Sequence, residues 1–266
     1  SLTGLILWIY FLILHLFNRK ETRQELTNPP LLSGMATFPM AGMILSTYVF
    51  RLFPHLPLVA QGLWWFSFLL DLVLIAGFTI KFACPGRRVH ATPSWTVLYV
   101  GIAVAALTYP LVGIIEIAYA TLIFGFLLTL YLYPLIYSDL KKQPLPLALL
   151  GQEGIYCAPF SLLLASLIRV GGAGLPTWLL IVMILASQSF FFFVLTRLPN
   201  ILKQGFQPAF SALTFPTIIT ATSLKMAQGI LKLPFLDYLV LAETLICLSI
   251  LLFVLVSYLI WLRKKV

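Results

Sequence analysis

Long apolar runs, cut at intervals by short polar stretches, dominate the chain. Nine runs approach the roughly 20 residues an α-helix needs to cross a bilayer. They lie at about 2–17, 31–52, 58–82, 95–110, 112–137, 147–168, 175–197, 207–227 and 236–262. The fourth and fifth nearly fuse, and Pro110 with Gly113 marks a turn between them. Within lipid every backbone group must be satisfied inside its own segment, which favours helices. The pattern therefore predicts an all-α polytopic membrane protein with nine transmembrane helices, forming one domain over residues 1–266.

The runs alternate in texture. SGMATFPMAGMILSTY (33–48), TVLYVGIAVAAL (96–107), GQEGIYCAPFSLLLAS (151–166) and FSALTFPTIITATS (210–223) are rich in small residues. Three of them carry a proline: Pro39, Pro159 and Pro216. The intervening runs, such as WWFSFLLDLVLIAGF, IFGFLLTLYLYPLIY and LLFVLVSYLIWL, are bulky and aromatic. Small residues let helix backbones approach closely in lipid, and bulky apolar residues suit a lipid-facing ring. The small-residue set is expected to face inward, kinked at its prolines around a cavity. Proline removes a backbone donor, so carbonyls at Met35, Ile155 and Ala212 are expected to be freed. Thr37-Phe38-Pro39 and Thr214-Phe215-Pro216 repeat the same tripeptide, consistent with repeated hairpins of one inner and one outer helix.

Composition agrees. The chain is 61% hydrophobic and 9% charged, with a mean hydropathy of +1.02, against roughly a quarter charged residues in soluble domains. The net charge of +9 is confined to short connections, so it reports topology and lipid contact rather than nucleic-acid binding. With the 18–30 loop inside and sides alternating, Arg19, Lys20, Arg23, Lys81, Arg87, Arg88, Lys141, Lys142, Arg197, Lys203, Arg263, Lys264 and Lys265 are cytoplasmic. The other side holds Arg51, Arg169, Lys225 and Lys232. That bias puts the C-terminus in the cytoplasm and suits a multi-pass protein of the plasma membrane. Cys84, Cys157 and Cys247 form no CxxC pair and the three histidines are scattered, so neither a metal site nor another cofactor is expected. Gly171-Gly172-Ala173-Gly174 is a tight connection rather than a nucleotide loop. Neither HExxH nor GxSxG is present, and no enzyme is expected.

SGMATFPMAGMILSTY, the HATPSW…VGIAVAA stretch (90–106) and FSALTFPTIITATSLKMA resemble the tellurite-resistance/dicarboxylate transporter family. This family includes bacterial TehA, fungal malate permeases and the slow anion channels of plant guard cells. The resemblance covers essentially the whole chain, from the second family helix to the tenth. It implies ten helices in five hairpins, quasi-fivefold around a central pore, with homotrimeric assembly. The first family helix is expected to be missing here, as the abrupt apolar start and odd number of spans suggest. The family closes its pore with a phenylalanine in the ninth helix; carried over, that gate is Phe215.

On an ideal helix Ser211, Ile218, Ile219 and Thr222 share the face of Phe215. The expected pore-lining and kink residues are Phe38, Pro39, Pro159, Ser211, Thr214, Pro216, Ile219 and Thr222. Such a wall holds anions weakly, which conduction requires. The expected function is passage of small anions (chloride, nitrate or a dicarboxylate) past the Phe215 gate. The alternative is proton-coupled symport of C4-dicarboxylates such as malate, with Glu153 as the coupling group. Asp71 and Glu243 lie in outer runs, where pairing or packing roles are favoured over a proton relay.

Overall fold

The computed structural model describes residues 2–18, 22, 24–86 and 88–263. Among them there is helix and connection but no strand. The chain divides into two compact units, one ending at Leu132 and one beginning at Tyr133. Seven of the nine apolar runs have the length and composition of a membrane span, counting a bent pair as one. The other two are a shorter apolar helix, Leu2–Phe17, and a run ending at Leu231 that is diluted by Ser, Thr, Gln and Lys.

The first unit holds α1 (Leu2–Phe17), α2 (Pro29–Gly34), α3 (Thr37–Leu52), α4 (Pro57–Phe78), α5 (Ser94–Gly101), α6 (Val104–Thr108) and the start of α7 (Ile115–Lys142). A π-turn, Thr79–Ala83, ends α4. Close approach of α3 and α4 depends on Gly42, where a Cβ would fall 2.2 Å from Ser67 Oγ. The buried Trp64 indole donates to Thr108 Oγ1 at 2.8 Å, tying α4 to α6. Gly101, at the end of α5, makes room for Met40 of α3, whose Sδ would lie 2.5 Å from an added Cβ.

The second unit holds the end of α7, α8 (Ala158–Gly171), α9 (Thr177–Lys203), α10 (Thr214–Leu231) and α11 (Pro234–Arg263). Ser161 of α8 links Ser187 of α9 at 2.8 Å and Thr220 of α10 at 2.9 Å, all three side chains buried. Cys247 of α11 donates to the Thr217 carbonyl of α10 at 3.1 Å. Interhelical hydrogen bonds of this kind contribute roughly 0.6 kcal/mol each in a membrane. They fix which faces meet, while the apolar packing of Phe191, Val194, Ala221 and Cys157 supplies the bulk of the contact.

All four small-residue runs are broken, and the three that carry a proline break or change pitch just before it rather than inside a continuous α-helix. In the second unit, 3-10 segments Leu147–Cys157 and Pro208–Leu213 lead into α8 and α10. Pro159 is therefore the second residue of its α-helix and Pro216 the third. In the first unit, Pro39 is likewise third in α3, after the break that ends α2. The first-turn N–H groups of a helix have no intrahelical acceptor, so proline costs little there. The carbonyls expected to be free at Met35 and Ile155 accept tight-turn bonds from Phe38 and Ala158. The run without a proline breaks as well: α5 and α6 meet at a 45° bend across Ile102 and Ala103. Prolines inside α-helices, Pro134 and Pro199, occur instead in the bulky runs.

Candidate functional site

The two TFP tripeptides have the same local geometry. Thr214 Oγ1 donates to the Ser211 carbonyl at 2.7 Å, and Thr37 Oγ1 donates to the Gly34 carbonyl at 2.8 Å. Each threonine thus satisfies the carbonyl three residues back, at the step where the chain changes pitch. Thr217 extends the pattern in α10 by donating to the Thr214 carbonyl at 3.0 Å, and it also reaches the Leu213 carbonyl, four residues back, at 2.9 Å.

The two phenylalanines differ in surroundings. Phe38 stacks on Trp8, with centroids 4.4 Å apart and planes 6° from parallel, and it also meets Phe11 at 5.2 Å. Phe215 is half-buried, and among the described residues it makes no ring contact. Thr222 lies exposed on the Phe215 side of α10, with Ile218 half-buried beside it. Ser211, expected on that helix face, is exposed but belongs to the 3-10 segment Pro208–Leu213 that precedes α10. Ile219 is 5% exposed and turns toward the packed side, as do Pro216 and Pro159. Helical spacing places Ile219 about 40° from Phe215, at the edge of the open face rather than within it.

The step that leads into α10 is built by two glycines. A Cβ on Gly151 would lie 2.4 Å from the Ala209 carbonyl oxygen, and one on Gly154 would lie 2.5 Å from Leu213 Cδ2. These contacts press the two 3-10 segments of the second unit together, immediately before Thr214. Between the glycines, Glu153 receives both arms of Arg197: Nε to Oε2 at 2.9 Å and Nη2 to Oε1 at 3.0 Å. Arg197, a loop cation by its place in the sequence, is instead the partner of Glu153. The spacing of Gly151 and Gly154, three apart in GQEG, was the signal available for the close approach.

Two acids lie deeper. Asp71 is fully buried in α4 and Glu243 is 1% exposed in α11. Neither carboxyl oxygen pair closes a hydrogen bond among the described residues. The Gln188 amide of α9 lies beside Glu243 without reaching ordinary hydrogen-bond geometry. Of the pairing or packing expected of these acids, pairing is absent among the described residues and packing encloses each. The three cysteines are free, and among the described residues no three His, Cys, Asp or Glu side chains converge.

Of the cations counted as cytoplasmic, Arg19, Lys20, Arg23, Arg87, Lys264 and Lys265 lie outside the described residues. Lys81 donates to the Leu26 carbonyl at 2.8 Å, and Lys141 sits 4.5 Å over the Tyr137 ring. Both keep a charged head at the end of a span, as amphipathic side chains do at an interface.

Residues 2–259 match the family model described as SLAC1, voltage-dependent anion channel. A comparison with curated proteins finds no match.

Proposed function

We propose that this chain, which belongs to the SLAC1 family of voltage-dependent anion channels, conducts small anions along the open face of α10, with the Phe215 ring as the occluding gate. The observation that carries this reading is the open face itself. Exposed Thr222 and half-buried Phe215 share it, exposed Ser211 stands in the 3-10 segment that leads into it, and no described ring engages Phe215. Hydroxyls and a weakly polar ring bind chloride, nitrate or a dicarboxylate loosely, and loose binding permits exit. A phenyl ring blocks by size, and its rotation costs little where nothing stacks on it.

Glu153 favours channel over symporter. Both of its carboxyl oxygens are engaged by the Arg197 fork, which gives it a structural part in tying the 3-10 segment to α9. We further place the chain in the plasma membrane as one membrane domain, as a homotrimer with its C-terminus in the cytoplasm. The orientation follows from the charge bias of the loops, and the trimer from the family resemblance.

Voltage-clamp recording tests the reading. Phe215→Ala is expected to raise anion current over the parent protein at equal surface abundance, and unchanged current removes the gate. The reversal potential is expected to follow the Nernst potential of the permeant anion and to ignore pH. A reversal that moves with pH would establish the proton-coupled dicarboxylate alternative instead.

A further inference from the structure

Polar and charged positions are unevenly spread over the exposed surfaces of the second unit. On α11 the exposed positions between Tyr238 and Arg263 carry no charge; Leu241, Leu245, Leu248, Leu252 and Phe253 are typical. That is the surface a helix shows to lipid. The open face of α10 reads differently. Phe215, Ile218, Thr222, Lys225 and Gly229 fall within a sector of about 80°, and all five are exposed or half-buried.

Lys225 is the charge on that face. It lies within α10, not in the connection after it, because the helix continues to Leu231. It stands ten residues beyond Phe215, about 15 Å along the axis toward the outer end. It lies about 9 Å short of the last helical residue. Among the described residues it has no ion pair or hydrogen bond. The acid at that end of the hairpin, Asp237, is engaged by the Gln228 amide at 2.9 Å. Gln228 also accepts the Leu233 N–H at 3.1 Å, which ties the turn together without Lys225. An ionised side chain inside a membrane helix faces a water-filled path or a partner. Here no described partner is present, and the face around it bears hydroxyls.

We propose that Lys225 is the residue that draws anions into the outer approach to Phe215, setting conductance and the preference for anions, and among them for divalent ones. The inference rests on the open face of α10 being the conduction path. A single ammonium in a watery path enriches a monovalent anion nearby by roughly two- to fourfold. A dicarboxylate interacts with twice the charge, so its enrichment is roughly the square of that factor. Both are attractions that concentrate an ion without holding it, as throughput requires.

The experiment compares Lys225→Gln, Lys225→Glu and Lys225→Arg in the Phe215→Ala background, with surface labelling to equalise abundance. At about 10 mM salt, where the Debye length is roughly 30 Å, Lys225→Gln is expected to lower anion entry from outside two- to fourfold. Lys225→Glu lowers it further, and Lys225→Arg restores it. At about 1 M, where the Debye length is roughly 3 Å, the variants converge. Malate entry falls more than chloride entry. As a second readout, Lys225→Cys is labelled from outside by a membrane-impermeant anionic thiol reagent. If Phe215→Ala conducts but Lys225→Gln matches its parent at low salt, or Lys225→Cys is not labelled, the role of Lys225 is overturned while the gate stands. If Phe215→Ala passes no added current, the conduction path and this inference fall together.

Discussion

Arg197 grips Glu153 in a two-armed fork across 44 positions of sequence, joining the 3-10 segment of one run to the α-helix of the next. The Glu153 side chain is 14% exposed and the Arg197 side chain 43%. This asymmetry decides the cost of breaking the pair. The arginine is wet enough to survive alone, whereas the glutamate is not.

Arg197→Ala is accordingly expected to destabilise the detergent-solubilised protein by about 1–2 kcal/mol, less than a fully buried pair would lose because the arginine is half in solvent. Glu153→Gln is milder, since a neutral amide tolerates the site. The double variant is expected to lie closer to Glu153→Gln than to the sum of the two singles, giving a coupling of about 1 kcal/mol in a denaturation cycle. Strict additivity would mean that the fork contributes nothing to holding the 3-10 segment.

The close approach of the two 3-10 segments before Thr214 predicts an order among glycine variants. A methyl at Gly151 meets only backbone: Ala209 O at 2.4 Å, Ala209 C at 2.6 Å and Phe210 N at 2.9 Å. One at Gly154 meets first the end of the Leu213 side chain at 2.5 Å, which can turn aside. Gly62, inside α4, has nothing within 4 Å. Gly151→Ala is expected to cost about 1–3 kcal/mol and Gly154→Ala less. Gly62→Ala is expected to be neutral or to stabilise by up to about 1 kcal/mol through helix propensity. Thermal melts of the three variants side by side check this. A harmless Gly151→Ala would show that the two 3-10 segments are free to separate.

Much of this architecture is legible in the residues, and the illegible part has physical causes. Apolar run length marks the spans because lipid permits little else. The equivalence of Thr37-Phe38-Pro39 and Thr214-Phe215-Pro216 is visible as a repeat, and both threonines make the same bond. The pitch of the backbone is not visible. A 3-10 segment and an α-helix can share one apolar composition, so Pro159 and Pro216 read as kinks when they are helix starts. The bend at Ile102–Ala103 carries no proline to announce it. Pairing at long range is hidden too. Nothing local assigns Arg197 to Glu153, or leaves Asp71 and Glu243 without a bonded partner among the described residues.

The two TFP phenylalanines predict opposite phenotypes. Phe38 is committed to packing: Trp8 stacks on its ring at 4.4 Å and donates its indole N–H to the Phe38 carbonyl at 2.9 Å. Phe215 has no described ring against it. Phe38→Ala is therefore expected to cost about 2 kcal/mol, below the range for a fully buried phenylalanine because the ring is half-buried. It adds little current per protein at the surface. Phe215→Ala is expected to cost about 1 kcal/mol or less and to raise current. Trp8→Ala should imitate Phe38→Ala in stability. Trp8→Phe should lose less, since it keeps an aromatic stack and forfeits the indole hydrogen bond. Melting temperatures and anion currents measured on the same preparations separate the two positions. If Phe38→Ala opens the path as fully as Phe215→Ala does, the stack with Trp8 is not what distinguishes them, and the assignment of the gate to Phe215 falls.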